Sequence, residues 1–108
     1  MIRHMLMFRL RDEADAAECD SMLAELASFP QRYPSMQNFA LGRNASRRDD
    51  RFTHAMTIEF GTWSELDSYL SSAAHEAFVT ERFRPLVAER AIASFDDGAV
   101  PQARSASA

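Results

Sequence analysis

Nine consecutive residues near the N-terminus alternate with period two, and both faces they define are apolar at their centre. Ile2, His4, Leu6, Phe8 and Leu10 point one way, and Arg3, Met5, Met7 and Arg9 the other. Period two marks a β-strand, because successive side chains leave a pleated chain on opposite sides. A strand with one face in water carries polar residues on that face. Met5 and Met7 therefore predict a strand covered on both sides.

The rest of the chain supplies the partners. Residues 13–29 carry Cys19, Met22, Leu23, Leu26 and Phe29 at spacings of three and four, the stripe of an amphipathic helix, with Asp12 or Asp15 placed to cap it. Pro30 and Pro34 predict an extended connection. Residues 35–42 read as a second strand through Met36, Phe39 and Leu41. Residues 52–60 read as a third, with Phe52, His54, Met56, Ile58 and Phe60 on one face and Thr53, Ala55, Thr57 and Glu59 on the other. Thr62-Trp63-Ser64-Glu65 is a capping box and predicts a helix to about Leu70. A further helical stretch turns Ala74, Phe78, Val79, Phe83, Leu86 and Val87 inward and is bent or broken by Pro85. Residues 90–96 close the pattern as a short strand.

Strand, helix, strand, strand, helix, strand is the order of the split βαβ, ferredoxin-like α+β fold: a four-stranded antiparallel sheet with helices on one face only. The chain has 108 residues, enough for one domain. No segment remains to cover the second face, so a second copy of the sheet is the expected cover, in a two-fold homodimer. The domain is assigned to residues 1–97. Residues 98–108, without apolar periodicity, are assigned to a flexible tail.

Charge narrows the function. The net charge is −4. The densest basic segment holds Arg43, Arg47, Arg48 and Arg51, but Asp49 and Asp50 lie inside it, so nucleic acid is not an expected partner. No run is long enough for a membrane helix, and the N-terminus lacks a signal-peptide layout, which makes the cytoplasm the expected location. The single cysteine, Cys19, has no partner for a disulfide or redox pair and reads as a small buried apolar residue. All twelve basic residues are Arg, which excludes lysine Schiff-base chemistry. There is no glycine-rich dinucleotide or phosphate loop, no Gly-x-Ser-x-Gly and no Cys-x-x-Cys.

The remaining candidates for chemistry are His4, His54, His75 and Tyr69. His4 and His54 fall on the helix-facing sides of neighbouring strands near their starts, and His75 follows Tyr69 by six residues. One reading gathers all four at the mouth of an apolar pocket, where an imidazole takes a proton and a phenol donates to a developing enolate. The other makes His4 and His54 core histidines and His75 a helix cap. Met22, Leu23 and Leu26 from the first helix, with Leu6, Met56 and Leu86, are placed to line the pocket. The histidine spacing fits no metal motif, so neither metal nor cofactor is expected.

Several motifs resemble one family in order and spacing. They are Ile2-Arg3-His4-Met5-Leu6-Met7-Phe8-Arg9-Leu10, Gly42-Arg43-Asn44-Ala45-Ser46, Phe52-Thr53-His54-Ala55, Tyr69 followed by Ala74-His75-Glu76-Ala77-Phe78, and Ser94-Phe95-Asp96. Over residues 2–96 the chain resembles the stress-responsive A/B barrel (Dabb) proteins. The resemblance implies a dimeric α/β barrel. One cyclase of that family closes a polyketide by an aldol condensation without a cofactor. Its tyrosine and histidine fall on Tyr69 and His75, and its strand histidines on His4 and His54. Where that cyclase has a bulky aromatic wall, this chain has Met22, Leu23 and Leu26, and Ala73 replaces a proline common before the helix histidine. The expectations are a homodimer that binds a small apolar carbonyl compound. The alternatives are a cofactor-free cyclase or lyase using His75 as base, and a cofactor-independent monooxygenase.

Overall fold

The structure is a computed structural model and describes residues 1–98. Four antiparallel strands, β1 (Ile2–Leu10), β2 (Gln37–Arg43), β3 (His54–Phe60) and β4 (Val87–Asp96), form one sheet in the order β2-β3-β1-β4. Helices α1 (Ala16–Ala27), α2 (Phe29–Arg32), α3 (Trp63–Ser71) and α4 (Ala73–Phe78) supply the second layer. This is the ferredoxin-like arrangement that the element order predicts.

The two-faced strand becomes a central strand. β1 runs between β3 and β4, with Ile2 opposite Phe60 and Phe8 opposite His54 on one side, and His4 opposite Ser94 on the other. Ile2, Phe8, Met56, Ile58 and Phe60 bury their side chains beneath the helices. α1 adds Met22 and Leu26, α3 adds Leu66 and Tyr69, and the segment after α4 adds Phe83. Asp15, rather than Asp12, caps α1 through a hydrogen bond from Glu18 N. The capping box at Thr62 and Glu65 forms with both of its hydrogen bonds.

Some boundaries differ from the expected ones. Pro30 does not force an extended link. It sits in the first turn of the one-turn helix α2, where a missing N–H is no loss. The second helical stretch has three parts: α4, a π-turn over Val79–Phe83, and a 3-10 turn over Arg84–Leu86 that accommodates Pro85. Ala74 is exposed rather than inward. Val87 is the first residue of β4, which starts three residues before the expected boundary. The expected tail over residues 98–108 lies outside the described residues except for Gly98.

Among the described residues, no helix covers the other face of the sheet. Met5 and Met7 are half-buried at its centre, with Ala91 and Ala93 beside them and Phe95 40% exposed. Glu59 is buried on this face, where Arg3 pairs with it and the Asn38 amide donates to it. Asn38 adopts φ 50°, a left-handed conformation that Asn tolerates better than most residues, at a break in the β2–β3 register.

Candidate functional site

A cavity of about 200 Å³ lies between the helices and the β1–β4 half of the sheet. Leu6, Met56 and Ile92 form its sheet side, and Leu26, Phe29, Phe78 and Phe83 come from the helical layer. Its polar side chains are His4, Tyr69, His75, Glu76, Arg84 and Arg90.

Tyr69 and His75 meet because the chain breaks between them. Ser72 ends α3 and caps α4, its hydroxyl accepting a hydrogen bond from His75 N. The break folds His75 back onto Tyr69, with ring centroids 4.6 Å apart and the planes at 61°. The Tyr69 ring is 4% exposed and packs against Phe29, Tyr33 and Phe60. Its hydroxyl has no hydrogen-bond partner among the described residues. Tyr69 lines the cavity, and no described side-chain oxygen or nitrogen is both sealed and unbonded. Burial, reinforced by Tyr33, raises the phenol well above its ordinary value, so Tyr69 is a neutral hydrogen-bond donor at physiological pH.

His75 Nδ1 lies 3.1 Å from the Leu70 carbonyl. A carbonyl only accepts, so Nδ1 carries the proton and Nε2 keeps its lone pair. Burial lowers the imidazole pKa, opposed in part by the Leu70 carbonyl and by Glu76. The neutral form, which can accept a proton, is the one present at neutral pH. His4 joins from the sheet side. It is 4% exposed, its Nδ1 lies 2.7 Å from Ser94 Oγ, and burial and the nearby His75 lower its pKa. His4, Tyr69 and His75 therefore line one cavity, as do Leu6, Leu26 and Met56.

The other expected site residues lie elsewhere. His54 does not join His4. β1 and β3 are antiparallel, so the starts of the two strands sit at opposite ends of the ladder: His54 pairs with Phe8, and His4 with Ile58. His54 stacks on Phe8 at 5.3 Å, and its Nδ1 lies 2.8 Å from Thr53 Oγ1. It borders a separate depression with Asn44, Asp49 and Arg51, at the far end of the sheet from His4. Met22 is fully buried in the core, one turn of α1 away from the cavity wall that Leu26 provides. Leu23 is half-buried beside the core, and Leu86 is held in the 3-10 turn; neither lines the cavity. No three His, Cys, Asp or Glu side chains converge on a metal position among the described residues.

Sequence reasoning missed Arg84, Arg90 and Ile92 as cavity residues. The signal was the phase of the last strand: Arg90, Ile92 and Ser94 share the face of His4, opposite Ala91, Ala93 and Phe95.

The stress-responsive A/B barrel domain model matches residues 2–97. No curated protein matches the chain. Among solved structures, a hydroxynitrile lyase from Passiflora edulis superposes with a TM-score of 0.81 at 20% identity, over 93% of this chain and 96% of that one. A Dabb family protein with a ferredoxin-like fold from Mesorhizobium loti gives 0.77 at 23% identity, over 93% and 95%. A dimeric ferredoxin-like protein of unknown function from Thermobifida fusca gives 0.73 at 21%, over 87% and 88%. At these identities the likeness shows the fold.

Proposed function

The chain belongs to the stress-responsive A/B barrel domain family, and on that footing we propose that it is a homodimer whose helix–sheet cavity binds a small apolar carbonyl compound and carries out cofactor-free, lyase-type acid–base chemistry on it. The observation that carries this reading is the buried Tyr69–His75 pair, with the His75 tautomer set by Leu70 and both groups on one cavity. In this reading the ligand's carbonyl oxygen accepts from the Tyr69 hydroxyl. His75 Nε2 takes the proton from the adjacent carbon, and the developing oxyanion is stabilised by the phenol and by His4. The apolar walls provide most of the affinity, at about 25 cal/mol per Å² buried. The volume lies below the roughly 300–1,000 Å³ of drug-sized sites, which favours a single ring or a short chain. The Passiflora neighbour is named a hydroxynitrile lyase, which supports lyase-type acid–base chemistry in this fold. The dimer is supported by the apolar uncovered sheet face and by the dimeric Thermobifida neighbour.

Hydrogen–deuterium exchange tests the chemistry without knowledge of the substrate. Phenylacetone in D2O, followed by NMR, should lose its protons next to the carbonyl faster with the protein than in buffer. Replacing His75 by Ala should abolish the enhancement. Binding of phenylacetone without exchange leaves a binding protein and refutes the catalytic step. Failure to bind refutes the site itself.

A further inference from the structure

The cavity opens onto an unusually basic rim for an acidic protein. Arg84 and Arg90 line its mouth, and both also line an adjoining groove of about 300 Å³, together with Arg11. Arg3, Arg9, Arg32 and Arg82 each pair with a carboxylate. Arg11, Arg84 and Arg90 have no carboxylate within ion-pair reach among the described residues. The carboxylates nearby do not cancel them. Glu89, on the groove, lies 3.6 Å from Arg9, and Glu76, though it lines the cavity with Arg84 and Arg90, forms no ion pair with either. Three guanidinium groups thus face a continuous cleft whose inner end is apolar.

We propose that this cleft selects an amphipathic anion: a small apolar body bearing the reactive carbonyl enters the cavity, and a carboxylate or phosphate on its outer end is held by Arg84, Arg90 and Arg11. Guanidinium groups suit both anions, because their planar donor fork matches paired oxygens. The backbone fixes where they stand. Arg90 leaves β4 on the helix-facing side opposite Phe8. The 3-10 turn carries Arg84, and Arg11 N donates to the Leu86 carbonyl at 2.9 Å, which joins the end of β1 to that turn. The arginines are therefore anchored at one end of the cleft, away from the β3 side of the sheet. This proposal rests on the cavity being the binding site.

Calorimetric titration of the full chain at pH 8 tests it, with phenylacetate, its neutral isostere phenylacetamide, and benzyl phosphate. At this pH the cavity histidines are uncharged, so they give no preference for anions. The wild-type protein should bind phenylacetate about tenfold tighter than phenylacetamide, the margin by which charged hydrogen bonds exceed neutral ones. Salt should narrow the gap. The Arg84→Gln/Arg90→Gln variant should lose the preference and keep its affinity for the amide. Whichever of benzyl phosphate and phenylacetate binds tighter identifies the anion. Equal binding of acid and amide by the wild type refutes the proposal and leaves the cavity reading intact, as does a preference that survives removal of all three arginines. If neither ring compound binds, both readings fall.

Discussion

At Tyr69 the proposed catalytic role of the hydroxyl can be tested apart from the packing of the ring, because the structure gives the two parts different neighbours. The ring is buried against Phe29, Tyr33, Phe60 and His75, whereas the hydroxyl has no partner among the described residues. Truncation to Ala removes a buried aromatic and leaves a void, at about 3–5 kcal/mol. For a domain of this size each kcal/mol shifts Tm by roughly 4–8 °C, so Tyr69→Ala should lower Tm by at least about 12 °C. Tyr69→Phe keeps the ring and breaks no hydrogen bond, so its effect should stay within about 0.5 kcal/mol, or roughly 2–4 °C. The same Phe variant loses the donor aimed at the developing oxyanion, and the exchange rate should fall by about 10²–10³. Thermal unfolding at fixed protein concentration, run beside the exchange assay, reads both quantities. A Phe variant as unstable as the Ala variant would show that the hydroxyl is structural. A Phe variant that exchanges as fast as the wild type would remove Tyr69 from the chemistry.

Three further outcomes are expected. The pKa values of His4 and His75 are lowered in the folded state. The unfolded chain therefore binds more protons below about pH 6.5, and stability should be level above that pH and fall as the pH drops through and below it. Denaturation from pH 8 to 5 measures this, and a curve that is no flatter in His4→Phe refutes the assignment to His4. In the proposed dimer, Met7→Asp places two charges in the sheet-to-sheet interface and should weaken association by about 100-fold or more, as read by sedimentation; an undisturbed dimer puts the interface elsewhere. Ser72→Ala removes the cap of α4 and should cost about 0.5–2 kcal/mol. It should also slow exchange by loosening His75, and unchanged exchange would show that the cap does not position the imidazole.

How much of this was legible in the sequence depends on the range of the signal. Period two in residues 2–10 and the Thr62 capping box are local, and both yielded the observed elements. The pairing of Tyr69 with His75 was legible too, because both lie within one broken helical stretch. His54 was misplaced for a geometric reason: matching strand starts coincide only when strands run parallel, and β1 and β3 are antiparallel. Met22 and Leu26 share one helical stripe, yet only Leu26 reaches the cavity. A hydrophobic stripe specifies burial without saying which part of a core is hollow. Arg90 and Ile92 escaped notice because the alternation of the last strand defines two faces, and only its pairing with β1 shows which of them meets the helices.

The π-turn over Val79–Phe83 has a consequence for what the chain tolerates at this point. Arg84 N bonds to the Val79 carbonyl, five residues back, so residues five apart come round to nearly the same side. That is how Phe78 and Phe83 both reach the cavity, with centroids 6.4 Å apart. In a regular α-helix the same spacing would carry Phe83 about 140° away from Phe78. The wide turn therefore behaves as a one-residue insertion already absorbed into the helix. Deleting a residue here would let the helix regularise, but every later side chain would be wound onward. The frame of Phe83, Arg84 and the first residues of β4 would change together, so the length of this segment is as much a part of the site as the identity of its residues.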